Sequence, residues 1–179
     1  MLTAASPDYE KIMALKPDLL LTYSVSPVKS QFFSKLESLG IKTFIVNEHL
    51  ERHPLARAAY IRLVGALTGN MTAAYSVLKI VSENYINLRD SVQSNLNRNN
   101  ELDSKGTTHK QRKILVNIPY KDQWFIPGQE SYLTTLFKDA GGEILGAKSG
   151  SSVSGQISVE TAYSLSKEAD LWMNVGWCQ

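Results

Sequence analysis

Two histidines, His49 and His53, stand four residues apart with Glu48 and Glu51 beside them. On a helix that spacing would turn two imidazoles and a carboxylate toward a zinc ion. Pro54 follows at once, so the stretch reads instead as a turn leading into a helix, with a capping or surface role for the histidines. The segment GGEILGAKS, residues 141–149, resembles a phosphate-binding loop, but Ala147 separates Gly146 from Lys148 and no strong strand precedes it. A phosphate loop needs glycine directly before the lysine so that backbone amides wrap the phosphate. No serine sits in a Gly-x-Ser-x-Gly elbow, and nothing arranges Ser, His and Asp into a triad. The residues support neither an enzyme nor a resident metal or cofactor.

A second set of residues carries more. Trp124 and Phe125 lie in the aromatic-rich stretch YKDQWFIPG, residues 120–128, directly after a predicted strand. Open α/β sheets place their ligand crevice outside the carboxyl ends of the strands. Large aromatics in a polar loop either tuck back into the core or line a pocket. Tyr23 and Ser24 follow the first predicted strand, Glu48 and His49 the second, Tyr120 the third and Trp177 the last. That every strand end carries an aromatic, a histidine or a carboxylate favours the pocket. The candidate ligand-binding residues are therefore Tyr23, Ser24, Glu48, His49, Tyr120, Trp124, Phe125 and Trp177.

The elements that must position them follow from periodicity. Apolar Tyr9, Ile12, Met13 and Leu15 recur at helical spacing until Pro17, and residues 18–23 read as a buried strand. A short helix over 31–39, closed by Gly40, leads to a second strand over 41–46. Strand, helix and strand with tight connections make a parallel βαβ unit. Residues 55–67 are strongly helical. A long helix follows from 71 to about 96, with Tyr75, Leu78, Val81, Tyr85, Leu88, Val92 and Leu96 on one stripe. This spacing is also that of a coiled-coil seam, but βα units on both sides of the helix place it across the back of two small lobes. The polar, aromatic-free stretch 95–108 reads as a linker. Beyond it come a strand over 113–118, a helix over 131–140 ended by Gly141-Gly142, a loop over 146–155, a helix over 158–167 and a strand over 170–175.

The predicted fold class is thus α/β, with two Rossmann-like lobes of parallel sheet joined by a long α-helix. Residues 1–54 belong to the N-terminal lobe, 55–99 to connecting helices and 100–179 to the C-terminal lobe. Each lobe shows only two clear strands, and a two-stranded parallel sheet leaves long edges unpaired. The chain is therefore expected to be part of a larger protein, or to complete its sheets with a partner such as a swapped second copy.

Composition narrows the classes further. The chain has 179 residues, 43% hydrophobic and 20% charged, with a formal net charge of +2 and its Lys and Arg scattered. No electrostatic footprint for nucleic acid is present, and His109-Lys110-Gln111-Arg112-Lys113 reads as a solvated lead-in to a strand. No apolar run reaches the ~18–20 residues of a spanning helix. The single cysteine, Cys178, allows no internal disulfide. The N-terminus MLTAASPDYE lacks the basic start and apolar region of a secretory signal.

Glu10-x-Ile12-x-x-Leu15-x-Pro17-Asp18-Leu19 resembles a segment of the iron-siderophore, haem and cobalamin binding proteins of ABC importers. The resemblance continues through Ser38-Leu39-Gly40-Ile41, the long helix, Phe125-Ile126-Pro127-Gly128 with Ser131, Ala140-Gly141-Gly142, and Ser158-Val159-Glu160 before Ala169-Asp170. It implies two lobes bridged by one long helix, a metal chelate held between them, and delivery to an ABC transporter permease. It implies a location in the periplasm or on a lipid anchor outside the inner membrane. That family begins with a signal peptide and a first βα portion and continues past the last strand seen here, so the chain is expected to be an internal fragment. Residues 158–174 also loosely repeat residues 8–24: Asp8-x-Glu10 aligns with Ser158-x-Glu160, each glutamate in the first turn of a helix that feeds a strand. A glutamate suits any helix N-terminus. The resemblance implies more, namely that Glu10 and Glu160 dock onto arginines of the permease. The alternative reading, a Rossmann-like nucleotide- or cofactor-binding enzyme domain, lacks its glycine fingerprint.

Overall fold

The computed structural model describes residues 8–23, 31–98 and 110–174. The chain divides into two compact units, residues 1–50 and 51–179.

In the first unit, helix α1 spans Tyr9–Leu15, and the Asp8 side chain accepts the Lys11 N–H at 3.0 Å, satisfying one of the free amides at its start. Lys16, in the left-handed region at φ 46°, ends the helix, and Pro17 forbids its continuation. Strand β1 is Leu20–Thr22, helix α2 Gln31–Ser38 and strand β2 Thr43–Ile45. Gly40 closes α2 at φ 73°: its N–H bonds the Glu37 carbonyl at 2.9 Å and the Ile41 N–H bonds that of Leu36 at 3.0 Å. This paired closure requires the left-handed conformation that glycine adopts without steric cost. Strands β1 and β2 pair in parallel, Leu20 opposite Thr43 and Thr22 opposite Ile45, the βαβ unit expected from sequence. Phe33, Leu36 and Ile41 supply the buried apolar side chains.

In the second unit the helical stretch 55–67 is two helices, α3 over Pro54–Ala58 and α4 over Ile61–Leu67. Between them the Tyr60 N–H bonds the Arg57 carbonyl and that of Arg62 bonds Ala59, so a tighter turn replaces the four-residue ladder. Helix α5 runs over Met71–Asn97, 27 residues or about 40 Å. Its packed side keeps part of the predicted stripe: Leu78, Tyr85, Val92 and Leu96 are partly buried and Ala74 is buried, whereas Tyr75, Val81 and Leu88 are exposed. The true seam includes residues too small to register as hydrophobic signal. Gly65 of α4 faces Ala74, where a Cβ on the glycine would lie 2.5 Å from the alanine Cβ, and the two helices cross at that point.

The expectation of two strands in this unit is corrected. Strand β3, Arg112–Val116, is the centre of a parallel sheet between β5, Gly142–Ile144, and β7, Leu171–Met173. Strand β4, Gln123–Ile126, pairs antiparallel with β6, Gly155–Ser158. Residues 123–126 of the stretch 120–128 are therefore strand rather than loop. Helix α6 spans Tyr132–Asp139 and helix α7 Val159–Ser166, with Ser131 and Ser158 as their N-caps. Ile114, Leu115, Val116, Trp124, Ile126, Ile144 and Ala162 form the core. Asp170 ties β7 to β3: its N–H bonds the Lys113 carbonyl at 2.8 Å and its carboxylate accepts the Lys113 N–H at 2.9 Å.

Candidate functional site

Parallel strands end on the same edge, and in the first unit β1 and β2 do so at a hollow of about 540 Å³ lined by Leu21, Thr22, Tyr23, Val46, Glu48 and His49. The ladder persists one step past β2, with the Val46 N–H bonded to the Thr22 carbonyl at 2.7 Å. The chain then turns through a 3₁₀ segment, Glu48–Leu50, which swings His49 against Tyr23. The two rings meet edge to face, centroids 6.0 Å apart and planes at 82°. Leu21 and Val46 supply apolar surface; Tyr23, Glu48 and His49 supply a hydroxyl, a carboxylate and an imidazole. Between Val46 and Glu48, the Asn47 Oδ1 is buried with no hydrogen-bond partner among the described residues, a state that proteins rarely leave uncompensated. Three of the sequence-derived site residues thus come together here. Ser24 and Trp177 lie outside the described residues.

In the second unit the strand-end residues separate. Tyr120 is 62% exposed beyond β3 and Phe125 is partly buried in β4. Trp124 is 6% exposed within the core, its indole N–H bonded to the Val116 carbonyl at 2.7 Å. Alternation along β4 explains this: Trp124 and Ile126 point to the core. Trp124 therefore takes the core place that its residue type allowed, and the pocket expectation for it is corrected. Sequence reading passed over Trp172, 54% exposed on β7, because it sits inside a strand pattern.

Glu10 and Glu160 are both exposed, in the first turns of α1 and α7. Each helix has the expected cap two residues earlier, Asp8 accepting from Lys11 and Ser158 accepting from Thr161 at 3.1 Å. Each helix also leads by a short turn into a parallel strand, α1 into β1 and α7 into β7. Hydrogen bonding to Ser158 and to its own backbone amide holds the Glu160 carboxyl below the usual carboxylate range.

His53 caps α3, its Nδ1 accepting the Leu55 N–H at 3.1 Å, in keeping with the capping role. A larger hollow of about 860 Å³ beside β5 and α6 is polar, and Arg52 pairs with Glu130 across part of it at 2.9 Å. No group of three or more potential metal ligands occurs among the described residues. None of their helices is long and apolar enough to cross a membrane.

The sequence pattern of the periplasmic binding protein family matches residues 1–177, and the chain belongs to that family, one of solute-binding proteins rather than enzymes. An uncharacterized lipoprotein of Methanocaldococcus jannaschii is 23% identical over 175 residues, covering 96% of this chain and 38% of the relative. A periplasmic heme-binding protein of Pseudomonas aeruginosa superposes with a TM-score of 0.65 at 16% identity, covering 89% of this chain and 52% of the other. The vitamin B12 binding protein of Vibrio cholerae superposes with a TM-score of 0.60 at 18% identity, covering 88% and 54%. These likenesses establish the fold as α/β, with two Rossmann-like lobes and the long helix α5 between them in the chain. The chain spans about half the length of those solved relatives.

Proposed function

We propose that the protein is the substrate-binding component of an ABC importer, which captures a metal chelate of the iron-siderophore, haem or cobalamin type and delivers it to a membrane permease. The observation that carries this is the strand-end hollow, where Tyr23, Glu48 and His49 converge over an apolar floor in a chain of the periplasmic binding protein family. Such a hollow offers ring surface and a few polar groups, the usual make-up of a small-molecule site. In this reading the candidate ligand-binding residues are Tyr23, Ser24, Glu48, His49, Tyr120, Phe125 and Trp177. The metal belongs to the cargo, and the protein needs no cofactor of its own.

Glu10 and Glu160 are assigned to permease docking, each an exposed carboxylate at a capped helix start. The lipoprotein relative supports a place in the periplasm or on a lipid anchor outside the inner membrane. The reading is tested by equilibrium dialysis against haemin, cyanocobalamin and a ferric hydroxamate. Retention of one chelate, recovered chemically unchanged, is the expected result. Retention of none of them, or chemical conversion of the one retained, contradicts it.

Studied alone, the chain has open sheet edges: among the described residues β7 pairs only with β3, and β1 only with β2. Bare edges recruit further strands, so pairing or swapping between two copies is proposed. Light scattering should then give a dimer mass, and a stable monomer would contradict it.

A further inference from the structure

One residue with a positive φ ties together the carboxyl end of the three-stranded sheet. Asn117 follows β3 at φ 71°, a left-handed conformation that glycine and, less often, asparagine adopt. Its N–H donates to the Met173 carbonyl at 3.0 Å, and its own carbonyl accepts the Trp172 Nε1–H at 2.7 Å. Its Nδ2 donates to the Phe125 carbonyl at 2.7 Å, and its Oδ1 accepts from Asn174 Nδ2. Asn174 is itself left-handed, at φ 58°. Such conformations persist where surrounding contacts over-determine them, and they cluster at functional sites.

What these contacts hold in place is an indole. Trp172 is backed by Trp124, ring centroids 5.9 Å apart and planes at 35°. The N–H of each ring is committed to a backbone carbonyl, Trp124 to Val116 and Trp172 to Asn117. The polar atom of Trp172 is therefore spent, and what the half-exposed side chain offers to solvent is ring surface. That surface suits a flat conjugated partner, which gains contact area at little entropy cost. It does not suit a ligand whose rim must receive hydrogen bonds.

Resting on the solute-binding role proposed above, we infer that Trp172 is the ligand-stacking aromatic of the second unit, that Asn117 is the residue positioning it, and that the chelate is a conjugated tetrapyrrole. Trp124 is the support beneath. The acceptor for Trp172 is a main-chain carbonyl, so the backbone conformation of Asn117 matters more than its amide. Asn117→Gly keeps the left-handed turn, whereas a β-branched valine cannot adopt it without strain.

The test is fluorescence and absorbance titration with haemin, cyanocobalamin and the ferric hydroxamate ferrioxamine B, with the thermal midpoint of every variant measured alongside. Wild type is expected to bind a tetrapyrrole in preference to ferrioxamine B. Trp172→Ala should weaken that binding about tenfold while the midpoint moves little, and Trp172→Phe should retain most of the affinity. Asn117→Val should weaken binding and alter the near-ultraviolet circular dichroism of the Trp124–Trp172 pair, while Asn117→Gly restores both. Trp172→Ala binding as tightly as wild type overturns the inference and leaves the binding role standing. So does a loss of stability in Trp172→Ala as large as in Trp124→Ala, or a preference for ferrioxamine B. A wild-type protein that binds none of the three probes overturns the binding role and this inference with it.

Discussion

Tyr23 and His49 meet edge to face, 6.0 Å between ring centroids, although 25 residues separate them in the chain. The parallel pairing of β1 and β2 brings them together, because it sets both strand ends at one edge. Tyr23 is 66% exposed, so the pair contributes little to the core. Tyr23→Ala and His49→Ala should each weaken chelate binding by about 1 kcal/mol or more, with small changes in stability. Isothermal titration alongside thermal melting separates the two effects. A variant that melts early and binds normally would assign the pair to folding instead.

The crossing of α4 and α5 depends on the absence of a side chain at Gly65. Gly65→Val should force the helices apart and cost about 1–3 kcal/mol, the usual penalty for overpacking. Urea unfolding measures it. An unchanged midpoint would mean that the helices adjust freely.

Asp170 gives the fold a pH dependence of predictable sign. The Lys113 amide and the Lys110 ammonium, then Lys110 and Arg112 as charges, hold its carboxyl below the ordinary 3.8. A depressed carboxyl stabilises the fold above its unfolded pKa, and that stability is lost as pH falls through the folded value. Asp170→Asn should melt earlier than wild type at pH 7, and the gap should narrow as pH falls below the ordinary carboxylate range. Equal melting at neutral pH would contradict this.

Glu10→Ala combined with Glu160→Ala should impair uptake in cells and leave chelate affinity in solution unchanged. Rim charges at an interface mostly govern encounter rate and orientation. Normal transport by the double variant would remove the docking assignment.

The repeat between residues 8–24 and 158–174 was legible because caps, glutamates and a terminating turn are local chemistry. The caps at Asp8 and Ser158 occur where the pattern places them. Helix α5 and the βαβ unit were legible for the same reason, since length and periodicity outweigh single residues. Strands β4, β5 and β6 were not: each has three or four residues, and β5 and β6 open with glycine, so no alternation can build up. Trp124 shows the limit for sites. Its residue type fits a core or a pocket equally, and only the pairing of β4 with β6 decides which side it faces. Trp172 was hidden in the opposite way, as a residue inside a strand pattern that is nonetheless 54% exposed.

The most direct test of the account is native mass spectrometry of the protein mixed with haemin, cyanocobalamin, a ferric hydroxamate and ATP together. The account predicts a peak for the protein carrying one metal chelate intact and no nucleotide. A protein that emerges bare, or that retains ATP in preference to every chelate, would contradict it.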